Sequence, residues 1–346
     1  MQGKHLEGEG ERLGMALNAK RLFEKEDGNW LAYAVTGGNV YFDPTTGAIF
    51  ACDQTVTQAD IPAFLEGMAV TAVQEGAFLN CTGLTGVSLP DGMTTIGAYA
   101  FYGCTGLTAV TLPDSITSIQ WRAFERCRSL QQVKLPAGLT VLEKWVFKSG
   151  KRLTAVDLPE GLTKIEKGAF EYCSDLTRIE IPDGVTTIGN RAFANCIDLT
   201  AVTLPDSITT IDAQAFRACW NLSDMAIPNR VTTIGEAAFE SCESLTDLVI
   251  PDSVTTLGES AFANCKSLTH ATICADLSSI PKKLFQACEQ LTTVTLPTCV
   301  EKIEAFAFEG CKQLSDVHYN NTQAAWQEID IGVLNERLET AVLHCV

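Results

Sequence analysis

The chain is short of charge. Only 19% of its 346 residues are Asp, Glu, Lys or Arg, and the 42 acids outnumber the 25 bases for a formal net charge of −17. So little charge beside 46% hydrophobic residues argues against a long disordered chain. The negative field repels nucleic acid and anionic lipid, which excludes both as general partners. No run of 18 apolar residues occurs, so no membrane insertion is expected. The opening residues, MQGKHLEGEGERLGMALNAKRLF, carry acids early and contain no apolar h-region, so they do not read as a secretory signal. The C-terminal end shows no hydrophobic anchor. The compartment stays open: the cytoplasm, a trimmed chain, or export by another route.

Chemistry-bearing patterns are also scarce. There is no Cys-x-x-Cys pair, no histidine cluster, no glycine-rich phosphate loop and no paired-carboxylate motif. The histidines are His5, His270, His318 and His344. No metal site, cofactor or catalytic residue is expected, and the chain reads as a non-enzyme.

What is present is a repeat. Phenylalanine recurs at 78, 101, 124, 147, 170, 193, 216, 239, 262, 285 and 308, always 23 residues apart. In ten of these eleven units a cysteine follows three residues later, from Cys81 to Cys311, and Gly150 replaces it once. A Leu-Pro or Ile-Pro pair keeps the same period, and the eleven letters LTAVTLPDSIT stand at both 107–117 and 199–209.

Each coil is legible in outline. In residues 107–127, Val110 and Leu112 alternate with Ala109 and Thr111, the pattern of a short strand with one buried face. Pro113 ends the strand because it has no N–H to donate. Asp114-Ser115 makes a polar turn, and Ile116 and Ile119 form a second inward pair. RAFERC is too short for a full helix and reads as one helical or 3₁₀ turn that points Ala123, Phe124 and Cys127 inward. One coil cannot bury these side chains alone, whereas stacked coils bury each like residue on its neighbour.

This pattern, C..LT.V.LP..(I/V)T.I...AF..C, resembles the BspA-like leucine-rich repeat of bacterial surface proteins, tightly over residues 70–319. Residues 36–62 resemble the segment that often precedes these repeats, and 317–345 their usual C-terminal segment. The expected fold is therefore α/β: a leucine-rich-repeat solenoid with short parallel strands, eleven 23-residue coils and two caps. The organisation is a polar segment over 1–28, an N-terminal cap over 29–69, the solenoid over 70–316 and a C-terminal cap over 317–346. Tyr41-Phe42 and Ile49-Phe50 predict a hairpin, and residues 322–329 a short helix capped by Asn321 or Thr322. The resemblance implies attachment to host extracellular proteins or to other cells. An intracellular protein-binding scaffold is the alternative, favoured by unpaired thiols and the missing signal.

Ten cysteines in one interior register read as buried thiols packed as small hydrophobes. Asp91, Asp114, Asp183, Asp206 and Asp252, one per coil after the proline, read as caps of their own turns rather than a calcium site. His270 and His318 are expected to face outward about two coils apart, roughly 9.6 Å, too far to act together.

Departures from the repeat mark the candidate site. Residues 120–167 hold ten bases and five acids, a local +5 in a chain of −17. Tyr99, Tyr102, Trp121 and Trp145 flank the core phenylalanines there, where other coils carry Glu, Ala, Gln or Asn. Aromatics beside Arg and Lys are the makings of a protein-binding hot spot. The candidate residues are Tyr99, Tyr102, Trp121, Arg122, Trp145, Lys148, Lys151 and Arg152, with Trp121 and Trp145 expected to be exposed. The second candidate surface is the outward strand face, running from Ser88 through Lys134 and Val249 to His318.

Overall fold

The computed structural model describes residues 30–346. The reading of 1–28 as a polar segment lies outside them. The chain divides into two compact units, the first running to Leu162 and including Tyr172–Ser174, the second made of Thr163–Glu171 and Asp175–Val346.

The first unit opens with the predicted hairpin. Strands Leu31–Val35, Gly38–Asp43 and Ala48–Cys52 form an antiparallel meander. The tight connection to the third strand is set by the Asp43 carboxylate, which accepts from the Thr45 N–H at 2.9 Å and hydroxyl at 2.6 Å, and by Gly47 at φ +67°. Ala48–Cys52 then runs parallel to Ala72–Val73, which pairs onward with Thr95–Ile96 and Ser118–Ile119. On the opposite side Gln58–Asp60 is parallel to Gly86–Ser88, and that to Ala109–Thr111. The cap is itself a turn of the repeat, not a separate lid.

The second unit repeats the arrangement. Lys164–Ile165, Thr187–Ile188, Thr210–Ile211, Thr233–Ile234 and Thr256–Leu257 pair in parallel, each partner 23 residues on. The other face is widest from Asp247–Ile250 through His270–Ile273 and Thr293–Leu296 to Asp316–Tyr319. At its end Asp330–Ile331 pairs with Lys302–Ile303, and Val342–Cys345 with Asp316–Tyr319, so this cap too completes a turn. Thr322 caps the short helix Gln323–Gln327 as expected, its hydroxyl accepting from the Ala325 N–H at 3.2 Å. With the caps counted, there are about 13 turns rather than eleven. Five fall in the first unit and eight in the second.

The phenylalanine side differs from the predicted helical turn. Positions two before and two after each phenylalanine take φ near +60°, as at Arg122 (+58°) and Arg126 (+64°), or Arg191 (+56°) and Asn195 (+62°). This left-handed conformation costs a non-glycine residue roughly 1–2 kcal/mol. It is held because the amide directions then alternate. Phe124 N–H donates to Val146 O at 2.9 Å in the next coil, and Glu125 N–H to Arg122 O at 3.2 Å in its own. The same alternation gives Phe193 N–H to Ala215 O at 2.8 Å and Ala194 N–H to Arg191 O at 3.1 Å. Continuous helix would forfeit the inter-coil bonds.

Phenylalanines and thiols fill the interior. In the second unit Phe193 stacks on Phe170 and Phe216 at 5.2 Å, with ring planes within 11° and 3°. The cysteines are more than small apolar fillers. From Cys104 onward each thiol of the column reaches back one coil to a phenylalanine carbonyl, as Cys104 to Phe78 O at 3.0 Å, Cys219 to Phe193 O at 3.2 Å and Cys311 to Phe285 O at 3.2 Å. Burial holds the Cys104, Cys127 and Cys242 thiols well up, and pushes Cys219, Cys265 and Cys311 up to about 12. All five turn aspartates are exposed, and where a serine follows one it bonds to the preceding coil. Ser115 donates to Met93 O and Ser207 to Val185 O, both at 2.7 Å.

Candidate binding surface

The left-handed positions aim one side chain per coil outward at the same place. In the first unit one such column reads Tyr99, Arg122 and Trp145, with φ of +54°, +58° and +58°. Arg122 is the centre of the cluster. Its guanidinium lies 4.5 Å from the Trp145 ring and 5.7 Å from the rings of both Tyr99 and Trp121. Tyr99 packs edge-on against Trp121 at 4.7 Å and against Tyr102 at 5.5 Å. Beneath, Arg122 Nη1 is 3.3 Å from an oxygen of Glu125, a buried carboxylate, and Arg122 Nε is buried without a hydrogen-bond partner. The aromatic walls compensate this cation through their ring faces. Two further pairs extend the cluster: Arg126 over Tyr102 at 5.6 Å and Lys148 over Tyr172 at 5.9 Å. Burial raises the hydroxyls of Tyr99 and Tyr102 above the usual tyrosine range, while the nearby arginines pull the other way.

Five of the eight expected residues are therefore gathered in one cluster around Arg122, and a sixth, Lys148, lies over the Tyr172 ring. Lys151 and Arg152 are exposed on the following turn and take no part in it. Trp121 is exposed at 40%, but Trp145 is half-buried, because Arg122 lies on its ring. Sequence reasoning passed over Arg126 as a ring partner and Tyr172 altogether, although Tyr172 is 45% exposed. The signal was available as spacing. Tyr102 to Arg126 and Lys148 to Tyr172 are both one period plus one residue.

The strand face holds no comparable cluster in the first unit, where Ser88, Thr111, Lys134 and Asp157 are simply exposed. In the second unit His318 stacks on His344 at 4.5 Å, and His344 Nε2 is 2.8 Å from Asp316 Oδ1. Ser315 donates to the other Asp316 oxygen at 2.7 Å. The carboxylate stands between hydroxyl and imidazole, so the His344 ring is paired with Asp316 and not with the Ser315 hydroxyl. Among the described residues no group of three or more His, Cys, Asp or Glu could hold a metal ion, and no helix is long and apolar enough to cross a membrane.

The family model described as the BspA type leucine rich repeat region matches in 6 copies, over residues 71–200, 163–292 and 278–329. The chain belongs to this BspA-type family. The fold is shared with a leucine-rich repeat protein from Bacteroides ovatus ATCC 8483, at 23% identity and TM-score 0.64, over 92% of this chain and 98% of that one. A leucine rich cell surface protein from Faecalibacterium prausnitzii A2-165 is similar at 25% identity and TM-score 0.49, over 87% of this chain and 97% of that one. No curated protein sequence matches. BspA-type repeats form a leucine-rich solenoid, a fold generally without enzymatic activity whose members generally bind protein ligands.

Proposed function

We propose that this BspA-type chain is a non-enzymatic, adhesin-like protein-binding module of a bacterial cell surface or secretion, and that it binds host or other extracellular proteins through the cluster around Arg122. The observation that carries this reading is the gathering of Tyr99, Tyr102, Trp121, Arg122, Arg126 and Trp145 on one stretch of three coils, with ring and cation in contact. Interfaces draw their energy from such aromatic and arginine anchors. The rings are pre-positioned by left-handed backbone and by each other, so little side-chain freedom is lost on docking. The local positive balance against a net −17 favours an acidic partner surface. Family membership supports protein binding as the class of activity.

The column of buried thiols supports a second reading, an intracellular scaffold of the same fold. Two measurements separate and test these. Fractionation of the producing cells locates the protein, and a cytoplasmic location sinks adhesion. Binding of the full chain to a panel of immobilised host extracellular proteins is then compared with a variant carrying Trp121→Ser, Arg126→Glu and Arg152→Glu. Loss of two or more anchors should weaken binding by at least about tenfold with an unchanged melting temperature. Equal binding by both proteins would move the contact to the strand face.

A further inference from the structure

The cysteine column has an end, and there its bonding changes. From Cys104 onward in the first unit, each thiol donates to the carbonyl of a phenylalanine one coil back: Cys104 to Phe78, Cys127 to Phe101 and Cys173 to Phe147. Cys81 is the first of the column, and no phenylalanine coil precedes it. Its sulfur reaches a carbonyl only at 4.0 Å, that of Asp53, and lies closer to Cys52, at the end of the strand Ala48–Cys52, with the two Sγ atoms 2.7 Å apart. Carbon atoms, smaller than sulfur, rest in contact at about 3.5–4.0 Å. A closure of about 0.7 Å would reach the bonded length of about 2.05 Å. Both segments are already fixed against each other. Gln54 Nε2 donates to Leu79 O at 3.3 Å, and Cys52 is paired with Val40 across the hairpin.

We propose that Cys52 and Cys81 are joined by a disulfide that fastens the N-terminal cap to the first phenylalanine coil. The oxidant is a low-molecular-weight disulfide. Both thiols are buried in the closed cap, so the reaction starts while the cap is open. The Cys52 thiolate attacks one sulfur of the small disulfide, forming a mixed disulfide and releasing one small thiolate. As the cap closes, the Cys81 thiolate attacks the Cys52 sulfur and displaces the second. Two protein thiols lose two protons and two electrons, and one small disulfide becomes two thiols. The remaining column stays reduced because each thiol is occupied by a carbonyl rather than a second sulfur. The exposed Cys274 and Cys345 are open to exchange with other molecules but have no such partner. The bond closes the 29-residue separation between cap and coil, restricting the unfolded cap most where the hydrophobic end of the stack needs cover.

The test is a peptide map. The full chain is incubated with oxidised glutathione, denatured, alkylated without reductant and digested. The expected result is one intramolecular cross-link, between the Cys52 and Cys81 peptides, with a mass lower by two hydrogens. In wild type, reductant should lower the melting temperature by several degrees, and in Cys52→Ser it should have no effect. Fourteen alkylated cysteines after oxidation, or cross-links that leave Cys52 and Cys81 apart, would overturn the proposal. So would a melting temperature indifferent to reductant in wild type, which needs no variant to fold.

Discussion

Phe193→Ala should destabilise the protein by about 4 kcal/mol. The ring is fully buried and sits between two others, Phe170 and Phe216, each with its centroid 5.2 Å away. Taking an aromatic side chain out of the core forfeits about 1.5–3 kcal/mol of transfer free energy. Each ring contact adds about 0.5–1.5 kcal/mol. The sum centres near 4 kcal/mol, within the roughly 3–5 kcal/mol typical of such truncations. The backbone bonds stay, since Phe193 N–H and O are engaged with Ala215 O, Cys196 N–H and the Cys219 thiol whatever the side chain. Phe308→Ala is the internal control: its ring meets one phenylalanine, Phe285, at a tilt of 36°, so it should cost about 1 kcal/mol less. Urea unfolding with fitted midpoint and slope reads both. A cost below about 1 kcal/mol for Phe193→Ala would mean that the column does not carry the core. An unchanged midpoint with a reduced slope would mean instead that the coils unfold separately.

Alkali offers a second check. Burial holds the thiols of Cys104, Cys127, Cys219, Cys242, Cys265, Cys288 and Cys311 above their ordinary range. Below about pH 8.5 both folded and unfolded thiols are protonated and the effect is nil; above it the unfolded chain loses protons that the folded chain keeps. Stability therefore falls as pH rises, by up to about 1.4 kcal/mol per pH unit for each thiol. Urea midpoints should drop steeply between pH 8.5 and 10.5, and a flat profile would contradict the buried column. At the C-terminal end, Asn335 stands in for a missing coil: its Oδ1 accepts from Phe308 N–H at 2.9 Å and its Nδ2 donates to Glu304 O and Gly332 O. Asn335→Ala should cost about 3 kcal/mol, and hydrogen exchange should show residues 330–345 losing protection first. Uniform protection across that segment would remove Asn335 from the capping role.

Much of this architecture was legible in the sequence because it depends on like meeting like. A period of 23 puts Phe on Phe and Cys on Cys, and the eye needs only the spacing. The hairpin around Asp43 and the helix cap at Thr322 were legible for another reason, since both are local hydrogen-bond devices. The turn at RAFERC was not. Its residues favour helix when read alone, and only the carbonyls of the neighbouring coil, as at Val146 and Lys148, make alternating left-handed backbone the better arrangement. The same limit applies to the binding surface. The composition marked the aromatic and basic residues, but that Arg122 would lie on Trp145 and half-bury it depends on one coil seen against the next. The direction of the thiol bonds and the contact of Cys52 with Cys81 likewise have no local signature.

The uniform step between bonded residues has a genetic consequence. Among the 23-residue coils between the caps of each unit the side-chain bonds of successive coils join residues 22, 23 or 26 apart, as at Ser115 to Met93, Thr108 to Thr85 and Cys127 to Phe101. Coils that make the same bonds are interchangeable. Recombination between the two copies of LTAVTLPDSIT, at 107–117 and 199–209, would delete or duplicate four whole coils and keep the 23-residue period of the sequence. A gene for such a chain can change the number of its coils in a single event, and the surface it presents changes length while the period at the one new joint stays 23 residues.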